Sequence, residues 1–227
     1  MTILSACQEA AIELSQTEPT SIFSTTDTFA KELRVQANKS AVAIMKAYDW
    51  QKLTKRATIT GDGSDTSFPL PDDYDRMAKK TNLASSSTNV DLVKAEDLDQ
   101  WDYFLNHMST TTPGYWIVLG GELQVMPAPG TGVVHSYYYI SNYVVSGNQT
   151  SFTADTDTFV LPERLLTLSI IWRWRASKRL EYAEDMQNFE IAFGEETASD
   201  KGSRILIAGQ QRVPYNVQTA YPGPLGP

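Results

Sequence analysis

Two histidines and one cysteine are the chain's main means of covalent or acid–base chemistry, and neither histidine stands in a reactive setting. His107 and His135 fall in segments with helix-like and strand-like patterns, outside any Gly-flanked serine elbow or paired-histidine spacing. Each is therefore read as a packed or solvated residue, and a hydrolase built around either one is kept as an alternative. GDGSDTS (61–67) has the composition of a phosphate or calcium loop. It lacks the Lys-Ser/Thr pair of the first and the terminal Glu of the second, so a tight turn is expected. In LPDDYD (70–75) adjacent acids could hold a metal, yet such acids are more often solvated or cap an element. Cys7 has no second cysteine with which to form a disulfide or a zinc site. No catalytic residue, metal site or cofactor is assigned.

The other conspicuous constellation is WRWRASKR (172–179), which closes a long apolar run. On a helix, at about 100° per residue, Arg173, Arg175, Lys178 and Arg179 fall on several sides, which is not the single stripe of a groove reader. Cations at a helix C-terminus gain about 0.3–1 kcal/mol each from the macrodipole, and the acids of EYAEDMQNFEIAFGEE (181–196) are available as partners. Core packing with local ion pairing accounts for the segment. Tryptophan and arginine are also frequent binding anchors, so Trp172, Arg173, Trp174, Arg175 and Arg179 are carried as candidate subunit or partner contacts.

With 19 basic against 27 acidic residues and a formal charge of −8, general DNA binding through counterion release is excluded. MTILSACQEAAIELS carries no basic leader, and no run reaches the length of a membrane span, so no membrane partner is expected.

The elements that must position these residues follow from periodicity. Leu4, Cys7, Ala11 and Leu14 predict a short helix. Thr26 or Asp27 caps a second, with Phe29, Leu33, Ala37, Ala41, Ile44 and Tyr48 on its apolar stripe. From Lys55 the pattern turns to strands: one before GDGSDTS, a short one ending at Pro69 to Pro71, then a loop. Leu98, Trp101 and Leu105 predict a short helix within 95–107. Gly120-Gly121 predicts a two-residue hairpin turn in YWIVLGGELQVM. In the tyrosine-rich strand 133–145, Tyr137 and Tyr139 share one face, Tyr138 and Ile140 the other, as in a strand packed on both sides. Pro162 is expected at the first helical position of a helix running toward Leu180, and Tyr182, Met186, Phe189 and Phe193 predict a last helix reaching about Asp200. VPYNVQTAYPGPLGP (213–227) holds too much proline and glycine for helix or central strand. It is either a disordered tail or an arm ordered against a neighbouring chain through Val213, Tyr215 and Tyr221.

The reading is α+β: a four-helix bundle (1–54 and 160–203) with an inserted antiparallel β domain (55–159, short helix at 95–107) and an extended C-terminal arm (204–227). In this order, AYDWQKL, ATITGDGSDTSFPLPDDYDRM, TPGYWIVLGGELQVMPAP and FVLPERLLTLSIIWRWRASKR followed by an acidic, aromatic helix resemble the head-to-tail adaptor, or connector, proteins of tailed bacteriophages, over nearly the whole chain. That resemblance implies a structural virion protein of the neck, made in the bacterial cytoplasm and not an enzyme. It implies a homo-oligomeric ring of twelve subunits between the portal protein and a downstream tail or nozzle protein, with double-stranded DNA passing through unbound. Val213, Pro214, Tyr215, Asn216, Val217 and Tyr221 then become the candidate portal-binding residues. The alternative, raised by the tyrosine-rich strands, is a receptor- or carbohydrate-binding module of a phage tail.

Overall fold

The computed structural model describes residues 2–79, 81–87, 90–107 and 114–200. The candidate arm, Val213 to Tyr221 included, lies outside them. The elements in chain order are α1 (Ile3–Glu13), α2 (Thr28–Ala47), β1 (Thr54–Thr60), β2 (Ser67–Pro69), β3 (Tyr74–Met77), β4 (Ala84–Ser85), β5 (Val93–Lys94), α3 (Leu98–His107), β6 (Tyr115–Leu119), β7 (Glu122–Met126), β8 (Val134–Ser141), α4 (Glu163–Ser177) and α5 (Ala183–Asp200). The fold is α+β. Its described residues form two units, one of 2–54 with 140–200 and one of 55–139.

In the first unit α4 packs against α1, α2 and α5. α2 starts where Asp27 accepts the amides of Phe29 and Ala30 at 3.3 and 3.2 Å. Its buried stripe is Ala30, Leu33, Ala37, Ser40, Ala41, Ile44 and Met45. At its far end the buried Trp50 indole donates to the Ile44 carbonyl at 2.9 Å, satisfying one of the carbonyls that a helix end leaves open. The stripe of α1 is broader than the expected one: Cys7, Ala11 and Leu14 are buried as predicted, Ile3, Ala6 and Ala10 are buried beside them, and Leu4 is half-buried. Burial pushes the Cys7 thiol up to about 12, with the Asp155 charge adding to it.

Pro162 stands one position earlier than expected, as the N-cap of α4, whose first residue is Glu163. The helix ends before Leu180 because Arg179 adopts φ 58°. The amides of Arg179 and Leu180 then turn back onto the carbonyls of Ala176 and Arg175, at 3.1 and 3.0 Å, closing the last turn.

Residues 142–160, which the sequence reading leaves with the β insertion, pack on the helical unit. The Phe152 amide donates to the Asn38 side chain at 2.8 Å. Asp155 accepts from the Ser21 hydroxyl at 2.6 Å and from the amides of Ile22 and Phe23 at 2.8 and 3.2 Å. Burial alone would raise its pKa, but these hydrogen bonds prevail and hold the carboxyl below the ordinary value. The segment carries no helical or alternating pattern, so only tertiary contacts reveal where it belongs.

The second unit has two sheets, one ordered β1-β8-β3 with β4 also on β8, the other ordered β2-β7-β6-β5. The insertion is mixed, not purely antiparallel: β5 runs parallel to β6, with Val93 opposite Tyr115. α3 lies between these two strands in the chain and supplies the crossover that parallel neighbours require. The β6–β7 hairpin turns at Gly120 and Gly121, at φ 64° and 83°, as the sequence predicts. Ile59, Leu83, Tyr137 and Tyr139 pack with Leu92, Trp116, Leu123 and Val125 between the sheets. The other face of β6 and β7 meets α3 through Ile117 and Met126 against Trp101 and Phe104.

α3 therefore buries Trp101 and Phe104, while Leu98 and Leu105 are exposed, a correction to the expected stripe. Phe104 stacks on Tyr115 at 3.9 Å, and that contact fixes the rotation of the helix. β3 was expected to be loop. Its Asp73-Tyr74 start looks polar in sequence, but Asp73 accepts from Lys55 at 2.6 Å and from the Tyr139 hydroxyl at 2.8 Å, which makes burial of a carboxylate tolerable.

Candidate assembly surfaces

The basic end of α4 is built largely for contacts within its own unit. Trp174 is buried, edge-on to Phe29 at 5.5 Å, and its indole donates to Glu32 at 2.9 Å. Lys178 donates to the other Glu32 oxygen at 2.6 Å and lies 5.6 Å over the Trp174 ring. The Lys178 hydrogen bond, supported by that of Trp174, holds the Glu32 carboxyl below its usual pKa. Arg175 pairs with Asp185 of α5 at 2.7 Å, and Arg164 with Glu195 at 2.9 Å. Pairing with the acids of 181–196 was anticipated; Glu32 was not, because nothing local relates it to residues 142 and 146 positions away.

Arg173 differs. Its guanidinium lies 4.6 Å over the Trp172 ring, donates to Ser169 at 3.2 Å, and burial lowers its pKa. Ser169 in turn donates to Ser40 at 2.9 Å, both fully buried. The Trp172 ring lies 6.4 Å from Phe189 of α5, and its indole N–H is buried without an acceptor among the described residues. Of the five candidate contact residues, Trp174 and Arg175 are thus engaged internally, Trp172 and Arg173 are half-buried side by side, and Arg179 is exposed.

The candidate chemical groups are not brought together. His107 ends α3 with its ring 5.0 Å from Tyr103, whereas His135 is buried in β8, where burial lowers its pKa against an opposing effect of Asp91. Asp62 accepts the amides of Ser64 and Asp65 at 2.8 and 2.7 Å, which makes GDGSDTS the expected tight turn; the Asp65 amide, then Ser64, lower the Asp62 pKa. Among the described residues no group of three His, Cys, Asp or Glu could hold a metal ion, and no helix is long and apolar enough to cross a membrane. In the tyrosine run Tyr137 and Tyr139 are core residues and Tyr138 is exposed, so the strand is packed on one face at these positions and offers no tier of rings for a flat ligand.

Two helix faces of the first unit are left uncovered by the described residues. On α2, Lys31, Val35, Lys39, Val42 and Lys46 are all exposed, spaced by four, four, three and four residues. On α5 only Ala192 is buried, and the side away from α4 carries Gln187, Ile191, Gly194 and Ala198, with Glu184 and Glu190 at its margins. A Cβ on Gly194 would meet nothing within 4 Å, so packing inside the unit does not require this glycine. It nevertheless costs the helix about 1 kcal/mol relative to alanine.

The family model described as SU10 adaptor protein matches residues 1–218. The chain belongs to this phage adaptor family. No curated protein matches it. A phage adaptor assembles with other virion proteins, and the exposed α2 and α5 faces are candidate surfaces that the sequence patterns above do not single out. The Lys/Val spacing on α2 is as regular as that of its buried stripe, but lysines at helical spacing are the ordinary composition of a solvated face.

Proposed function

We propose that this adaptor works at the head-to-tail junction: copies of the chain form a ring, of twelve subunits by the resemblance, between the portal and the tail, and the genome passes through it without chemistry. The observation that carries the reading is the family match over residues 1–218, which spans both units. Helices α1, α2, α4 and α5 serve as a four-helix bundle that forms the body of the ring. The other unit faces the tail-side partner and neighbouring subunits. The net charge of −8 supports passage, because a wall that does not grip phosphate lets DNA slide. Val213, Pro214, Tyr215, Asn216, Val217 and Tyr221 bind the portal, and Trp172, Arg173 and Arg179 contribute to contacts with neighbours.

The test uses the purified chain and purified portal rings. Co-sedimentation, with an added ring visible by electron microscopy below the portal, is the expected result. Absence of both would refute the reading. Deleting 213–227 should abolish attachment while leaving the helical circular dichroism unchanged; unaltered attachment removes the role assigned to the arm.

A further inference from the structure

Resting on the ring reading, we infer that neighbouring subunits join through the Lys/Val face of α2 on one copy and the outer face of α5 on the next. Both helices pack on α4, and each keeps one long face that α4 does not cover. Ser169, Trp174 and Lys178 reach α2, whereas Arg164, Trp172 and Arg175 reach α5. The buried stripe of α2 and the inner side of α5 face α4, so both uncovered faces point away from it. Two different patches on one subunit give a head-to-tail contact, which closes into a ring when the rotation between copies allows it.

The faces match in chemistry. Lys31, Lys39 and Lys46 have no carboxylate partner among the described residues, and Lys31 donates only to the Thr26 carbonyl at 3.2 Å. Between them Val35 and Val42 are 45% and 38% exposed. This helix face combines two valines with three cations in a chain whose net charge is −8. The opposing face of α5 is anionic at its margins, at Glu184 and Glu190, and apolar or small along its middle, where Ile191 is 53% exposed. Gly194 and Ala198 leave room for the valines of another helix to approach closely, which gives Gly194 a purpose that its own unit does not. The lysines would then steer the encounter and set the register, while the valines and the apolar strip of α5 are buried between copies. The occupant of each face is therefore a second copy of the same chain.

Charge reversal on the two faces tests this. Lys39→Glu with Lys46→Glu, and separately Glu184→Lys with Glu190→Lys, should each weaken self-association of the full chain at least tenfold by sedimentation velocity, with helical content and thermal unfolding retained. Mixing the two variants in equal amounts should restore assembly, since each supplies the face that the other now complements; simple damage to folding cannot be repaired by mixing. Ile191→Arg should also block assembly. Variants that assemble like the parent overturn the inference, and so do a mixture that stays dissociated and a parent chain that is monomeric at every concentration. Whether particle necks carry a ring of this chain is decided separately by electron microscopy, and that result bears on the functional reading alone.

Discussion

Asp155 holds the segment after β8 onto the start of the helical unit, and its removal gives a quantitative test of that link. Its carboxylate accepts three hydrogen bonds, from the Ser21 hydroxyl and the amides of Ile22 and Phe23, at 2.6, 2.8 and 3.2 Å. Hydrogen bonds to a charged acceptor contribute about 1.5–3 kcal/mol each in isolation, but three to one group are not additive and this one is only partly buried. Asp155→Ala should therefore destabilise by about 2–3 kcal/mol, a fall of roughly 4–12 °C in Tm for a chain of this size. Asp155→Asn keeps an oxygen for the amides and loses the charge, so its cost should be smaller, about 1 kcal/mol. The pH dependence has a definite sign. The folded pKa is lowered, so the stability due to the charge is fully present above the unfolded value of about 3.9 and is lost as pH falls through the folded pKa. Urea unfolding followed by circular dichroism at pH 7 and at acid pH, for parent and Asn variant, measures this directly. The gap between them should narrow as the medium becomes more acidic than about pH 4; a gap of constant size across that range would refute the assignment of Asp155 as a charged tie.

Trp174→Phe removes the indole donor to Glu32 while keeping a ring against Phe29, and should cost about 1–2 kcal/mol in chemical denaturation. Gly121→Ala places a side chain in open space at φ 83°, so only backbone strain opposes it; a loss of about 1–2 kcal/mol is expected in the transition monitored by Trp101 and Trp116 fluorescence. Cys7, fully buried with its pKa pushed up to about 12, should resist a thiol-specific chromogenic reagent at pH 8 and react at once in denaturant.

How much the sequence discloses depends on how local the deciding contact is. The cap of α2, narrowed in sequence to Thr26 or Asp27, and the Gly120-Gly121 turn involve neighbours in the chain, so both are legible there. The rotation of α3 was not, because Leu98 and Leu105 fit a helical stripe as well as Trp101 and Phe104 do, and the choice is made by Tyr115 across the layer. β3 and the placement of 142–160 depend on carboxylates, Asp73 and Asp155, whose partners are distant in sequence. A polar segment held by such pairs carries no periodicity to detect. The α4 candidates stand out by residue type, but Trp174 and Arg175 are engaged inside their own unit by partners that type alone does not reveal. The Lys/Val face of α2 was overlooked because lysines at helical spacing look like an ordinary wet surface.

The rims of the two sheets suggest how the chain avoids clumping while many copies accumulate. β2 and β5, at the margins of one sheet, have three and two residues, too little backbone to template a foreign strand. β1, the longer marginal strand of the other, carries Lys55 and Arg56 near its start. Cationic side chains there discourage edge-on stacking of identical sheets, so association by strand addition is suppressed.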